Sequence, residues 1–216
     1  SASAHVLDAG NVPLTAVDSR ITLPSAVYAS GSYSMEAWVY AVSQGIMFTF
    51  ATTTGYGFKL SMSGGVLYFR RSSSSTGASC SITPSFGIPT NTWTHVAYSH
   101  TPGVSSVVYI NGTALYTDSA PATNCDVTTV SKNNVIFGDF DYNQAARFRF
   151  TELKVWDINI SASQIAANMN TVLVGDEAGL AGYCSPAVTC GGAQLTDSST
   201  NARHGTFASG AAYACA

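Results

Sequence analysis

Charge is what this sequence has least of. Asp, Glu, Lys and Arg make up 10% of its 216 residues, against roughly 25% in an ordinary soluble domain. With scattered Lys and Arg and a net charge of −3, no basic stripe exists to follow a phosphate backbone, which argues against a nucleic-acid partner. Long apolar runs are missing too. None approaches the roughly 20 residues that cross a bilayer, so no membrane span is expected. The opening SASAHVLDAG lacks the basic and apolar regions of a leader and reads as a mature or excised N-terminus.

Catalytic signatures are also absent: the chain contains no GxSxG, HExxH, P-loop or dinucleotide-type glycine turn. Glu36, Glu152 and Glu177 are isolated in the sequence, so a two-carboxylate glycosidase mechanism has no obvious pair. His95 reads as a strand residue, and His5, His100 and His204 have no nucleophile in view. Cysteine is sparse. Cys80, Cys125, Cys184, Cys190 and Cys215 form no CxxC and none sits beside histidine at a zinc-ligand spacing. Oxidised pairs are the better reading. Cys184 and Cys190 bracket SPAVT, a short loop that a local bridge would close. Cys80 and Cys125 would then close a longer loop, worth up to roughly 4 kcal/mol on a chain-entropy account. Cys215 is left over, and an odd thiol in a secreted chain suggests pairing with another chain.

What the sequence does have is short runs of β-branched and aromatic residues separated by Gly, Ser, Asn and Pro. RITL, SMEAWVYAV, IMFTFAT, GFKLSM, VLYFRR, THVAYSH, SVVYING, TALYTD, NVIFGD and FRFTELKVWD predict an all-β antiparallel sandwich with many strands. In VVYINGTALY, Asn111-Gly112 favours the type I′ turn that matches strand twist. The apolar parity of RFRFTELKVW is even at Phe148 and Phe150 but odd at Leu153 and Val155. That slip predicts a β-bulge or a strand covered on both faces. One short helix is expected near residues 161–170, where Ser161 and Gln164 form a capping-box pair ahead of Ile165 and Met169. Trp38, Trp93 and Trp156 fall within strand patterns and are expected in the core; Arg70-Arg71 and the Arg147/Arg149 pair read as solvated strand faces. The tail GLAGYCSPAVTCGGAQLTDSSTNARHGTFASGAAYACA has weaker strands at LAGY, AQLTD and GTFA.

Three blocks carry a resemblance. SRITLP with GSYSMEAWVY, then TWTHVAYSHTPGVSSVVYINGTALYT, then RFTELKVWDINISASQIAANM resemble the opening strands, central hairpin and closing strand-plus-helix of LamG-like domains. These belong to the concanavalin A-like lectin/glucanase superfamily and share the closing pattern with pentraxins. The resemblance covers about residues 18–170 and implies a jelly roll of two curved antiparallel sheets, with residues 1–216 as a single such domain. The tail segment LAGYCSP…QLTDSSTNARHGTF resembles a segment that in many such proteins precedes the first strand. Residues 171–216 are therefore expected either to supply edge strands to the same sandwich or to dock on a neighbouring copy.

The resemblance also frames the loop DFDYN. In pentraxins the equivalent hairpin loop supplies acidic calcium ligands, which implies Asp139, Asp141 and Asn143 as ligands here, completed by backbone carbonyls and water. The alternative is a solvated turn. FATTTGYGF brings no Asp-Asn pair, position 151 is Thr where LamG-like domains often carry Asp, and Gln144 and Phe150 rule out an EF-hand. Tyr142, between Asp141 and Asn143, would either stack on a sugar or pack over the loop. Asn111 and Asn159 each open an Asn-x-Ser/Thr tripeptide and are candidate glycosylation sites. The expected protein is a secreted, non-catalytic module that binds a glycan or an extracellular protein through rim loops, with calcium as the implied cofactor. The alternatives are an architectural subunit linked through its tail or Cys215 and, more distantly, an enzyme acting on polysaccharide.

Overall fold

A computed structural model describes residues 12–14, 20–23, 31–43, 45–51, 57–63, 66–72, 79–82, 87–119, 134–137, 148–185 and 194–208. The described elements are strands β1 (Val12–Leu14), β2 (Arg20–Leu23), β3 (Tyr33–Ala41), β4 (Gly45–Ala51), β5 (Gly57–Ser63), β6 (Val66–Ser72), β7 (Ser79–Ile82), β8 (Trp93–Thr101), β9 (Ser105–Ile110), β10 (Thr113–Asp118), β11 (Asn134–Phe137) and β12 (Phe148–Trp156). Helix α1 (Ala162–Asn168) follows, and then β13 (Leu180–Cys184), β14 (Gln194–Leu195) and β15 (Gly205–Ala208). Every strand-like run picked out in the sequence forms a strand. β1 and β7 are additional, short, and set in stretches too rich in Pro or Ser to read as strands.

Two antiparallel sheets result. One runs β1-β12-β3-β8-β9-β10, with β13 also on β12; the other runs β14-β15-β2-β11-β4-β5-β6-β7. They close on a shared core to which Met35, Val39, Val96, Val108, Phe148 and Phe150 come from the first sheet and Leu60, Met62 and Leu195 from the second. This is the jelly-roll sandwich expected. Side chains alternate along a strand, so in β3 Tyr33, Met35, Ala37, Val39 and Ala41 enter that core while Ser34, Glu36, Trp38 and Tyr40 take the outer face.

That outer face is itself covered over much of its extent. Ile160 and Ile165 pack with Ala97, Tyr109, Trp156, Leu180 and Tyr183 into a second apolar cluster. The helix that brings Ile165 there begins where the sequence placed it. Ser161 Oγ accepts from the Gln164 N–H and Gln164 Oε1 accepts from the Ser161 N–H, the reciprocal capping box. The cap matters because a seven-residue helix has little cooperative stability of its own.

β12 shows the phase slip as a bulge. Thr151 pairs with Trp38 and Lys154 with Glu36, so one extra residue is absorbed between them. Glu152 adopts φ 53° there, and Leu153 and Val155 join Phe148 and Phe150 in the inter-sheet core. The Asn111-Gly112 turn likewise forms, with φ 50° and 77° and Thr113 pairing directly with Ile110. Asn111 then extends the ladder by side chain: its Oδ1 accepts from the His95 N–H at 3.0 Å while its own N–H donates to His95 O at 2.9 Å.

The tail contributes to both sheets of its own chain. β13 pairs with Leu153–Trp156 of β12, next to β1 on Phe148–Phe150, and β15 pairs with β2. Buried Asp197 ties the intervening loop together, accepting from the N–H groups of Tyr183, Ser199 and Arg203 at 2.8, 2.9 and 2.8 Å. Gly175 passes so close that a Cβ there would lie 2.1 Å from Ser198 O, and its φ is +104°. The bridge expected between Cys184 and Cys190 is not formed, for Cys184 is a free, buried thiol. Strand alternation in β13 turns Cys184 into the inter-sheet core. Burial pushes its thiol well above the ordinary value, helped by Asp197 and Glu152, which keeps it protonated and unreactive.

Candidate functional site

Asp139, Asp141, Tyr142 and Asn143 lie outside the described residues, as do Cys125, Cys190 and Cys215; β7 fixes only the backbone position of Cys80. Asn159 is exposed but engaged, accepting from Ser99 Oγ at 2.6 Å and donating to Thr101 Oγ1 at 2.7 Å. Among the described residues no group of three or more His, Cys, Asp or Glu side chains could hold a metal ion.

The outer face of the first sheet carries two different kinds of site. The first corrects the reading of the glutamates as isolated. Glu36, His95, Glu152 and Lys154 are all buried and share one network beneath α1 and the segment after it. Glu36 Oε1 accepts from Trp156 Nε1 and Asn168 Nδ2, each at 3.2 Å, while Glu36 Oε2 lies 3.4 Å from His95 Nε2. Oε2 makes no hydrogen bond among the described residues, nor does His95 Nδ1, so the approach of Oε2 to Nε2 is a close contact rather than a directed bond. Glu152, thrown sideways by the bulge, accepts from Tyr183 Oη at 2.6 Å and from Ser185 Oγ.

Lys154 links the network to the helix. Its Nζ donates to Asn168 O and Thr171 O at 2.5 and 2.9 Å, and Trp38 Nε1 donates to Met169 O at 2.7 Å. The sheet thus adds donors to carbonyls at and just beyond the end of α1, where intrahelical partners run out, Asn168 O also accepting from the Thr171 N–H at 3.0 Å, with a cation at the negative end of the helix dipole. Burial pushes the Lys154 ammonium below its ordinary value against the opposing pull of Glu36, Glu152 and Glu177. The Tyr183 phenol is pushed the other way, by burial and then by its bond to Glu152, so it remains a donor. Glu177 is half-buried; burial opposes its charge, but bonds from backbone N–H groups, including those of Val174 and Gly175, together with Lys154 prevail and lower its carboxyl.

The second kind of site is one row farther along the same face. Arg149, Tyr40 and Trp93 are register partners across β12, β3 and β8. The rings of Tyr40 and Trp93 stand 5.6 Å apart at 59°, and Arg149 Cζ lies 5.5 Å from the centre of the Tyr40 ring. Both rings are half-buried and Arg149 is exposed. Trp93 therefore departs from the expectation that all three tryptophans are core residues; Trp38 and Trp156 are buried, but beneath the α1 cover rather than between the sheets. Even parity along β3 could have put Tyr40 on the face of Trp38. Nothing local says that the cover stops between them.

The chain has known counterparts at the level of fold. A putative carbohydrate binding protein from Bacteroides ovatus superimposes with TM-score 0.70 at 18% identity over 95% of this chain, which spans 59% of that protein's length. A heptameric SAP-like pentraxin from Limulus polyphemus gives 0.58 at 16% identity, over 72% of this chain and 79% of its own. Domain 4 of an extracellular arabinanase from Geobacillus stearothermophilus, solved with arabinotriose, gives 0.57 at 20% identity, over 74% and 76%. No curated protein sequence matches. The sequence profile described as the Concanavalin A-like lectin/glucanases superfamily matches residues 15–166, and together with the two-sheet architecture this shows that the chain belongs to that superfamily.

Proposed function

We propose that the protein is a non-catalytic carbohydrate-recognition module that works outside the cell. The observation that carries this reading is the burial of Glu36, His95, Glu152 and Lys154. These groups could do acid–base chemistry, yet they lie under the α1 cover and are committed to holding it, where a polysaccharide cannot reach them. Two of the fold's counterparts are named for carbohydrate binding or were solved with an oligosaccharide, which supports glycan as the ligand class. Recognition then falls to surfaces at the edge of the sandwich, with Asp139, Asp141 and Asn143 as calcium ligands and Tyr142 beside them. Pairing of the tail strands with β2 and β12 of the same chain leaves less for donation to a neighbour, so the architectural alternative is the weaker one. A glycan array run with and without chelator tests the proposal. Binding that weakens on chelation supports it in full, and binding that does not weaken removes the calcium. Release of reducing ends from any bound polysaccharide would overturn the non-catalytic assignment.

A further inference from the structure

From the row beyond the helix cover, we infer that Tyr40, Trp93 and Arg149 form a subsite for an anionic sugar residue. The inference rests on the reading of the protein as a glycan-binding module and gives that module a place and a charge preference.

Three observations converge. The first is exposure. On β3 and β8 the outward residues Glu36, Trp38 and His95 are closed over, whereas Tyr40 and Trp93 remain half-exposed side by side. A joined pair of aromatic rings left facing water is unusual for a soluble surface, where single apolar residues are the norm. The second is preorganisation. Both rings stand on nine-residue strands paired in register, and the loop entering β8 is tied to the end of β3 by the Asn91 N–H on Ala41 O at 2.8 Å. Rings held this way offer flat faces to the apolar C–H surface of a sugar at little entropic cost.

The third is charge. Arg149 lies over the Tyr40 ring, which orients the guanidinium by cation–π attraction. Among the described residues the carboxylates in contact with a basic side chain are Glu36, beside the His95 imidazole, and Glu152, beside Lys154. Arg149 has no acidic partner among the described residues, in a chain whose net charge is −3. A guanidinium presents paired donors that match a carboxylate or a sulfate ester bidentately. Stacking on the rings and pairing with the anion would then come from one sugar residue and its substituent.

The experiment measures binding of polygalacturonate (carboxylated), heparin (sulfated and carboxylated) and neutral galactan to the wild type, Trp93→Ala, Tyr40→Ala and Arg149→Gln, at low and physiological salt. Circular dichroism and melting temperature serve as fold controls. The expected result is that at least one charged polymer binds more tightly than galactan. Trp93→Ala and Tyr40→Ala should weaken that binding about tenfold or more, and Arg149→Gln should bring it down to the galactan level. Retention of heparin without polygalacturonate would assign the anion as sulfate, and binding of both as carboxylate. Charged-polymer binding unchanged in Trp93→Ala and Arg149→Gln overturns the subsite while leaving glycan recognition in place. Galactan bound as tightly as the charged polymers overturns the charge preference. A wild type that binds nothing on a broad glycan array overturns the subsite and the functional reading together. Because Arg149 is exposed, Arg149→Gln keeps the test decisive even if Trp93→Ala fails to fold.

Discussion

Two neighbouring patches on one face of one sheet meet opposite fates. The Glu36–His95–Lys154–Glu152 network lies under α1, where Glu36, Lys154 and Glu152 are hydrogen-bonded into the cover or to a neighbour and His95 packs against Glu36. The Tyr40–Trp93–Arg149 row carries rings and one cation and is left open. The pairing is the reverse of simple hydrophobic sorting, in which charge faces water and aromatics are enclosed. Charged groups can sit inside because the helix end needs donors and the carboxylates need partners, so burial of each satisfies the other. Aromatic groups standing outside have no such internal reason, and this is why that row reads as a place for a ligand.

The sharpest way to break the contrast is to remove the cation in the closed patch. Lys154→Met removes the ammonium bonds to Asn168 O and Thr171 O, leaving Asn168 O only its bond from the Thr171 N–H, and leaves two buried carboxylates without an ammonium. It should destabilise by about 3–5 kcal/mol, read by urea unfolding. Amide exchange in residues 162–177 should rise before global unfolding; uniform exchange across the chain would mean that the cover is not a separable unit. A smaller effect is expected where the cover meets the tail. Gly175→Ala puts a methyl against Ser198 O at a positive φ and should cost about 1–3 kcal/mol, whereas an unchanged melting temperature would show that the loops part freely. Ser161→Ala, which removes the cap of α1, should cost about 1 kcal/mol.

The pH dependence of Lys154 sharpens the comparison further. Its folded value lies below the 10.5 of a free lysine, so between those two values the unfolded chain holds more protons than the folded one. Stability contributed by this group therefore rises with pH across that window and is flat below it. Subtracting the alkaline stability profile of Lys154→Met from that of the wild type should leave such a rise; a flat difference would refute the depressed value. In the open row, Arg149→Gln should change stability by no more than about 0.5 kcal/mol, since that side chain is exposed and its contact is with the half-buried Tyr40 ring. A loss as large as that of Lys154→Met would dissolve the distinction between the patches.

Much of the fold was legible because its signals are local. The parity slip between Phe150 and Leu153, the Asn111-Gly112 turn and the Ser161–Gln164 cap each act within a few residues, and each is present as read. The closed patch was not legible. Trp156 and Glu36 are 120 residues apart and Asn168 and Glu36 are 132 apart, so no spacing rule could join them, and the glutamates looked solitary. Cys184 misled for the converse reason. Its closeness to Cys190 in sequence suggested a bridge, but strand alternation rather than proximity set the direction of its side chain. Trp93 was assigned inward because a strand pattern reveals which residues share a face without revealing what covers that face.

By itself, then, the sequence determined the strands, their turns, the bulge and the helix cap, because backbone preference and hydrophobic alternation operate over a few residues. Only the tertiary structure decided that Glu36, Glu152 and Lys154 would form one buried network and that Tyr40, Trp93 and Arg149 would stay in the open. Those outcomes depend on where the cover over a sheet ends, and that edge is set by the packing of segments more than a hundred residues apart.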